Sequence, residues 1–140
     1  MNVTEIPFNK FLGLRPGEPG SASLLRLDAG PQYLNHVGTV HAGAQLALAE
    51  AASGEYLLRV LPDLAGQALA VVRRVEAKYK KPMRGSLSAR ATTPEADVRQ
   101  AAEPLATKGR AIIPVRIEVV DEQGEVGLAA SLEWFVQKNR

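Results

Sequence analysis

Asn35, His41, Gly43 and Glu50 lie within sixteen residues of one another and together carry groups that act on a carbonyl. If Gly43 stands in the first turn of a helix, its backbone N–H is one of the donors that a helix leaves unpaired, at the positive end of the macrodipole. Glycine also lets a ligand approach the backbone closely. A carbonyl oxygen held there would be polarised as in an oxyanion hole. Seven residues on, at about 100° per residue, Glu50 returns to within about 20° of the same direction, two turns further along. Ala47 and Gly54 flank that direction and are small, so the carboxylate would face a space cleared of bulk. Two roles are open to it: general base toward a water, or nucleophile that forms an anhydride with an acyl carbon. Burial would raise its pKa and the helix N-terminus would lower it, so the expected group is ionised near neutral pH yet reactive. Asn35 could hold the water or the carbonyl, and His41 could donate to an acyl oxygen or fix the loop.

The same residues also have plainer readings. Glu50 fits the solvent side of an amphipathic helix, His41 a helix start, and Gly43 a permissive backbone position. His36 and His41 are the only histidines and there is no cysteine, so no metal site is expected. Lys80, Lys81 and Arg84 around a turn, and Lys108 and Arg110 ahead of a strand, could meet phosphates or simply be solvated.

What must position these groups is a helix set in a sheet. His41 to Leu61 is rich in Ala and Leu and contains no Pro, which predicts one long helix. Its apolar residues run almost all round, the mark of a buried helix. An unpaired Glu does not belong there for structural reasons, since burying an ionised carboxylate costs several kcal/mol. Phe8 to Gly20 reads as a short helix or turn leading into a loop, and Ser21 to Asp28 alternates as a half-buried strand with Ser23, Leu25 and Leu27 inward. Leu69 to Lys80 places Leu69, Val71, Val75, Ala77 and Tyr79 on one face and Arg74, Glu76, Lys78 and Lys80 on the other. Gly85 to Thr92 alternates through Leu87, Ala89 and Ala91. Thr93 to Lys108 reads as loop with a short helix starting near Pro94, interrupted by Pro104. Arg110 to Val120, a turn at Asp121-Glu122-Gln123-Gly124, and Val126 to Val136 form a long antiparallel hairpin. Pro114 demands an edge position or a bulge. The expectation is an α+β fold: one buried helix wrapped by a curved antiparallel sheet.

The whole chain bounds the reading. Its 140 residues predict one domain over 1–140. Hydrophobic residues at 46% and charged residues at 23% exclude disorder and coiled coil. Seventeen basic against fifteen acidic side chains leave +2, which speaks against nucleic acid as a partner. The absence of cysteine removes a thiol nucleophile and a disulfide framework. Met1 to Lys10 lacks the apolar core of a signal peptide, and no apolar run reaches the roughly 20 residues of a membrane span, so a cytoplasmic protein that neither crosses nor contacts a membrane is expected.

The stretch NHVGTVHAGAQLALAEAASG, residues 35–54, resembles the signature of hotdog-fold acyl-CoA thioesterases of the PaaI-like branch. Those proteins read as an Asn, a Gly, then His-Gly-Gly, with an acidic residue nine after the His; Asn35, Gly38, His41, Gly43 and Glu50 stand in those places. Ala42 replaces the usual first glycine, and Glu50 stands where this branch more often has Asp. KGRAIIPVRIEVVDEQGEVGLAASLEWF is similar to the family's closing hairpin. The resemblance implies a hotdog fold and hydrolysis of an acyl-CoA or related thioester. It implies Glu50 as base or nucleophile, Gly43 N–H on the carbonyl, and Asn35 and His41 positioning it. Lys80, Lys81, Arg84 and Arg110 would meet the phosphates of coenzyme A, which enters only as part of the substrate, with no other cofactor. It further implies a homodimer or a dimer of dimers (a homotetramer), with the acid of one subunit facing the helix N-terminus of its neighbour. The alternative is a non-catalytic hotdog protein that binds an acyl or aromatic ligand. A hydratase of the same fold is a third, weaker choice, because no Asp lies between Asp28 and Asp63.

Overall fold

A computed structural model describes residues 1–139. In chain order the elements are α1 (Pro7–Leu12), β1 (Arg15–Pro16), β2 (Leu25–Leu27), α2 (Ala42–Val60), β3 (Ala68–Tyr79), β4 (Leu87–Ala91), α3 (Glu95–Ala102), α4 (Pro104–Lys108), β5 (Arg110–Val120) and β6 (Val126–Lys138), with single 3₁₀ turns at Val3–Glu5, Pro31–Tyr33 and Pro62–Leu64. The strands form one antiparallel sheet in the order β1-β2-β4-β5-β6-β3. α2 packs against β2, β4, β5 and β6. This is the hotdog arrangement, α+β, that the resemblance implied.

The alternating pattern of β5 and β6 explains why α2 is held there. Ile113, Val115, Ile117 and Val119 from one strand, and Leu128, Leu132 and Val136 from the other, all point inward and are almost wholly buried. Each such side chain contributes about 1.5–3 kcal/mol on leaving water. They meet Leu48, Ala49, Ala52 and Leu57 of α2 in one continuous core. The opposite stripe of the helix, through Gly43, Ala47, Glu50 and Gly54, is uncovered to varying degrees, so the helix is buried on one side rather than all round.

Three expectations are altered. The strand expected over Ser21 to Asp28 shrinks to Leu25–Leu27, because Ser21 closes a turn on the Glu18 carbonyl through both its backbone and its side chain. The segment 93–108 holds two helices, and Pro104 opens the second instead of breaking the first, since a first-turn position needs no N–H.

The third change concerns β3. Leu69 and Val71 do not share a face with Val75, Ala77 and Tyr79. The register with β6 shifts between Val72 and Arg74, so Arg73 is an extra residue that flips the phase. Before the bulge Ala70 and Val72 oppose the inward Val136 and Trp134; after it Val75, Ala77 and Tyr79 oppose Leu132, Ala130 and Leu128. Leu69 and Val71 therefore face outward, 54% and 45% exposed. Pro114, by contrast, sits as required: β4 pairs only with Ile117 to Val120, leaving β5 a local edge at Pro114.

Candidate active site

The site starts where the chain turns into α2. Asn35 Oδ1 accepts from the N–H groups of Val37 and Thr39, each at 3.0 Å, and Asn35 Nδ2 donates to Thr39 Oγ1 at 2.8 Å. Asn35 thus holds a tight loop in which Gly38 takes a positive φ of 78°. The amide that could hold a water or a carbonyl is engaged in that loop. Next, His41 N–H donates to Tyr33 O, and Val40 N–H to Met83 O at 2.8 Å, tying the loop to the turn after β3.

His41 caps α2. Its Nδ1 accepts from Gly43 N–H at 2.8 Å, the place where Ser, Thr, Asn or Asp more often sits. A ring nitrogen that accepts carries no proton, so in the neutral imidazole Nε2 is the donor. Gly43 N–H is consequently not vacant. An oxygen placed there must displace the imidazole or use Ala42 N–H, which has no acceptor among the described residues.

Two turns along, Glu50 lines a cavity of about 220 Å³ between α2, the amino-terminal segment and the start of β3. Its neighbours there are apolar: Val3, Gly54, Leu58, Ala70 and Trp134. Burial pushes the Glu50 carboxyl above its ordinary value of 4.5, because the charged form loses water and gains no cation. The helix N-terminus does not offset this, being about 10 Å away along the axis. For the same reason Glu50 and Gly43 of one chain cannot both reach one reacting carbonyl.

Trp134, Ser53 and Tyr79 adjoin the candidate residues although the motif around Glu50 did not include them. Trp134 Nε1 donates to Ser53 Oγ at 2.9 Å, and Ser53 Oγ donates to Glu50 O at 2.6 Å, which fixes the indole across Gly54. A Cβ at Gly54 would come within 3.3 Å of that ring. Tyr79 OH donates to Ala42 O at 2.8 Å, joining the end of β3 to the helix start, and burial raises its phenol. The inward alternation of β6 signalled Trp134; nothing local in the sequence signalled its partner Ser53.

The basic candidates divide. Arg84 lies beside the 35–39 loop, with Nη1 3.5 Å from Gly38 O, so its charge lies toward the amino end of α2, while Lys80 follows Tyr79, whose hydroxyl bonds the helix start. Lys81 is paired with Asp121 at 2.9 Å and with Glu125, bonds that raise its pKa and lower that of Asp121. Arg110 does not join them. It opposes Gln137 at the end of the hairpin remote from the turn that holds Lys81, about 35 Å away at strand rise. Among the described residues no three His, Cys, Asp or Glu side chains gather as a metal-binding group, and no helix is long and apolar enough to cross a membrane.

Residues 10–136 match the family described as "Domain of unknown function (DUF4442)". No functionally curated protein matches the sequence. Solved structures do. A Pseudomonas aeruginosa protein of unknown function described as a "probable thioesterase" superposes with a TM-score of 0.79 at 24% identity, over 98% of this chain and 91% of its own. A Bacillus halodurans protein crystallised with CoA gives 0.67 at 27% identity, over 92% of this chain and 74% of its own. A thioesterase from Haemophilus influenzae gives 0.69 at 17%, over 97% of this chain and 86% of its own.

Proposed function

The chain belongs to the family described as "Domain of unknown function (DUF4442)", hotdog-fold and thioesterase-like, and we propose on that premise that it hydrolyses an acyl-CoA or a related acyl thioester, with Glu50 as general base. The observation that carries the reading is a carboxylate on the open stripe of α2, lining an apolar cavity and made more basic by its burial. Such a group is suited to take a proton from water at neutral pH. Glu50 takes that proton while the water oxygen bonds to the thioester carbon. The tetrahedral intermediate then expels the thiolate, which Glu50 reprotonates, leaving a carboxylic acid and a free thiol. The reaction consumes only the thioester and one water.

The carbonyl oxygen needs a donor, and Glu50 is too far from the start of its own helix to share a substrate with it. We therefore assign the donors, Ala42 N–H or Gly43 N–H with His41 Nε2–H beside them, to a second copy of the chain. Two features support a dimer. Val75, Ala77 and Tyr79 point to the inner face of the sheet yet are left open, Val75 at 39% and Tyr79 at 43%. β3 itself is an edge strand of twelve residues, a template for pairing. In this arrangement Arg84, beside the loop that leads into the helix, would meet the phosphates of CoA, with Lys80, next to Tyr79 in the chain, as a second cation for them. Arg110 is too remote to do so, and Lys81 contributes less because its charge is already paired. The similarity to a protein crystallised with CoA supports this ligand class.

A panel of acyl-CoA thioesters, read by thiol release, tests the proposal with Glu50→Gln as control. Turnover lost in the variant is expected. Turnover unchanged removes Glu50 from the chemistry, and ligand binding without turnover on any thioester would favour a non-catalytic acyl-binding protein. A single turnover in ¹⁸O-labelled water detects the nucleophilic route: label found in Glu50 means an anhydride opened by water at its glutamyl carbonyl.

A further inference from the structure

The cavity beside Glu50 is walled by a part of the chain that the catalytic reading does not use. Val3 and Ile6, from the 3₁₀ turn before α1 and its end, line it together with Leu58 of α2, Ala70 of β3 and Trp134 of β6. That wall is built, not draped. Val3 is buried, its carbonyl accepts from the buried Asn9 Nδ2 at 3.0 Å, and Asn2 caps the turn through Thr4 N–H. From Glu50 to Leu58 the cavity follows α2 for about 12 Å.

Resting on the thioesterase reading, we propose that the amino-terminal segment measures the acyl group, and that the substrate is an unsubstituted apolar acyl thioester of short to medium length. Three observations carry this. A cavity of roughly 150 Å³ holds six-carbon benzene, so about 220 Å³ holds about eight or nine carbons. Its polar side chains are two, Glu50 and Asn9, with Asn9 Nδ2 engaged by Val3 O and Trp134 Nε1 by Ser53, so the lining is otherwise apolar and a hydroxyl or charge far along the acyl chain would be poorly matched there. Leu64, Gly66 and Ala68 line both this cavity and a wider, open hollow that Glu50 does not line, and so mark the limit of the space beside Glu50.

The test runs straight-chain thioesters from butanoyl-CoA to hexadecanoyl-CoA, with 8-hydroxyoctanoyl-CoA, and reads kcat/KM. In parallel, calorimetry reads the binding of the uncleavable thioether analogues. An optimum at or below octanoyl is expected, with hexadecanoyl and the hydroxylated chain each down by about tenfold or more. Val3→Ala should move the optimum to longer chains. Ala70→Val, a substitution that suits a strand, should move it to shorter ones; thermal melts confirm that both variants are folded. Hexadecanoyl processed as well as octanoyl, or an optimum unmoved in both folded variants, overturns the inference. The two readings fail separately. Length-dependent analogue binding without any thioester cleavage strikes the hydrolytic reading and supports the cavity assignment. Cleavage with length-independent binding does the reverse, and absence of analogue binding overturns the cavity assignment.

Discussion

One side of α2 carries Leu48, Ala49, Ala52 and Leu57 into the sheet with almost no exposure, while the other leaves Gly43, Ala47, Glu50 and Gly54 partly open. The first side is chosen for volume: each residue fills space against β4 and β5. The second is chosen for vacancy. Gly54 costs about 1 kcal/mol against Ala in a helix interior, and the structure shows what it makes room for, the Trp134 ring that lines the cavity with it. A helix that is apolar all round can therefore serve two purposes, and the small residues, not the large ones, mark the working side.

The sharpest way to break that distinction is to remove function without removing fold. Glu50→Gln should lower kcat/KM for thioester cleavage by about 10²- to 10⁴-fold, the usual loss of a general base, with an intact thermal melt. A variant that cleaves as well as the parent makes the open side merely unfilled. Its counterpart is Leu48→Ala, which leaves every catalytic group in place and should cost about 2–5 kcal/mol in urea unfolding. If that variant is as stable as the parent, the buried side is not what holds the helix.

Ser53 stands where the two sides meet. Its hydroxyl accepts from Trp134 Nε1 and donates to Glu50 O, and it is fully buried. Ser53→Ala strands the indole N–H and should cost about 1–3 kcal/mol. Because it also frees the ring that walls the cavity, acyl-analogue affinity should fall with stability. Stability lost with affinity unchanged would assign Ser53 to the core alone.

The long helix and the closing hairpin were legible because their patterns run for ten residues or more and are set locally. Residues 42–60 and the strands from Arg110 and Val126 lie where alternation and composition put them. The β3 bulge was not legible. Whether Val71 or Val72 faces inward depends on Arg73 slipping out of register with β6, which is decided by pairing across the sheet. That Val3 and Leu58 line one cavity was hidden for a similar reason, since nothing in either segment names the other. At the site, spacing placed Glu50 and Gly43 on one stripe of the helix, but it could not show that His41 already accepts the Gly43 N–H or that Asn35 turns inward on its own loop.

His41 allows a finer cut between fold and function. As a cap it is replaceable: Asn accepts the same N–H and is a better N-cap, whereas Ala leaves it unpaired at a cost of about 1 kcal/mol. His41→Ala should therefore lower the melting temperature and His41→Asn restore it. If Nε2–H also serves the thioester carbonyl, His41→Asn should fold like the parent yet lose kcat with little change in KM. Full activity in that variant would confine His41 to capping.

The smallest effect expected is a dependence of stability on pH that belongs to Glu50. Its carboxyl is raised in the folded protein by loss of water, so between the ordinary value near 4.5 and the higher folded value the native state binds more protons than the unfolded one. Stability from this group therefore falls as pH rises through that window, the opposite of an ion-paired carboxylate. Gln cannot ionise and escapes the penalty. Glu50→Gln should melt slightly above the parent at pH 7, and the gap should close as pH drops below 4.5 and the parent's carboxyl is protonated in both states. A variant that melts below the parent at pH 7 would mean that Glu50 is held by a cation, and the open side of α2 would then be a structural contact.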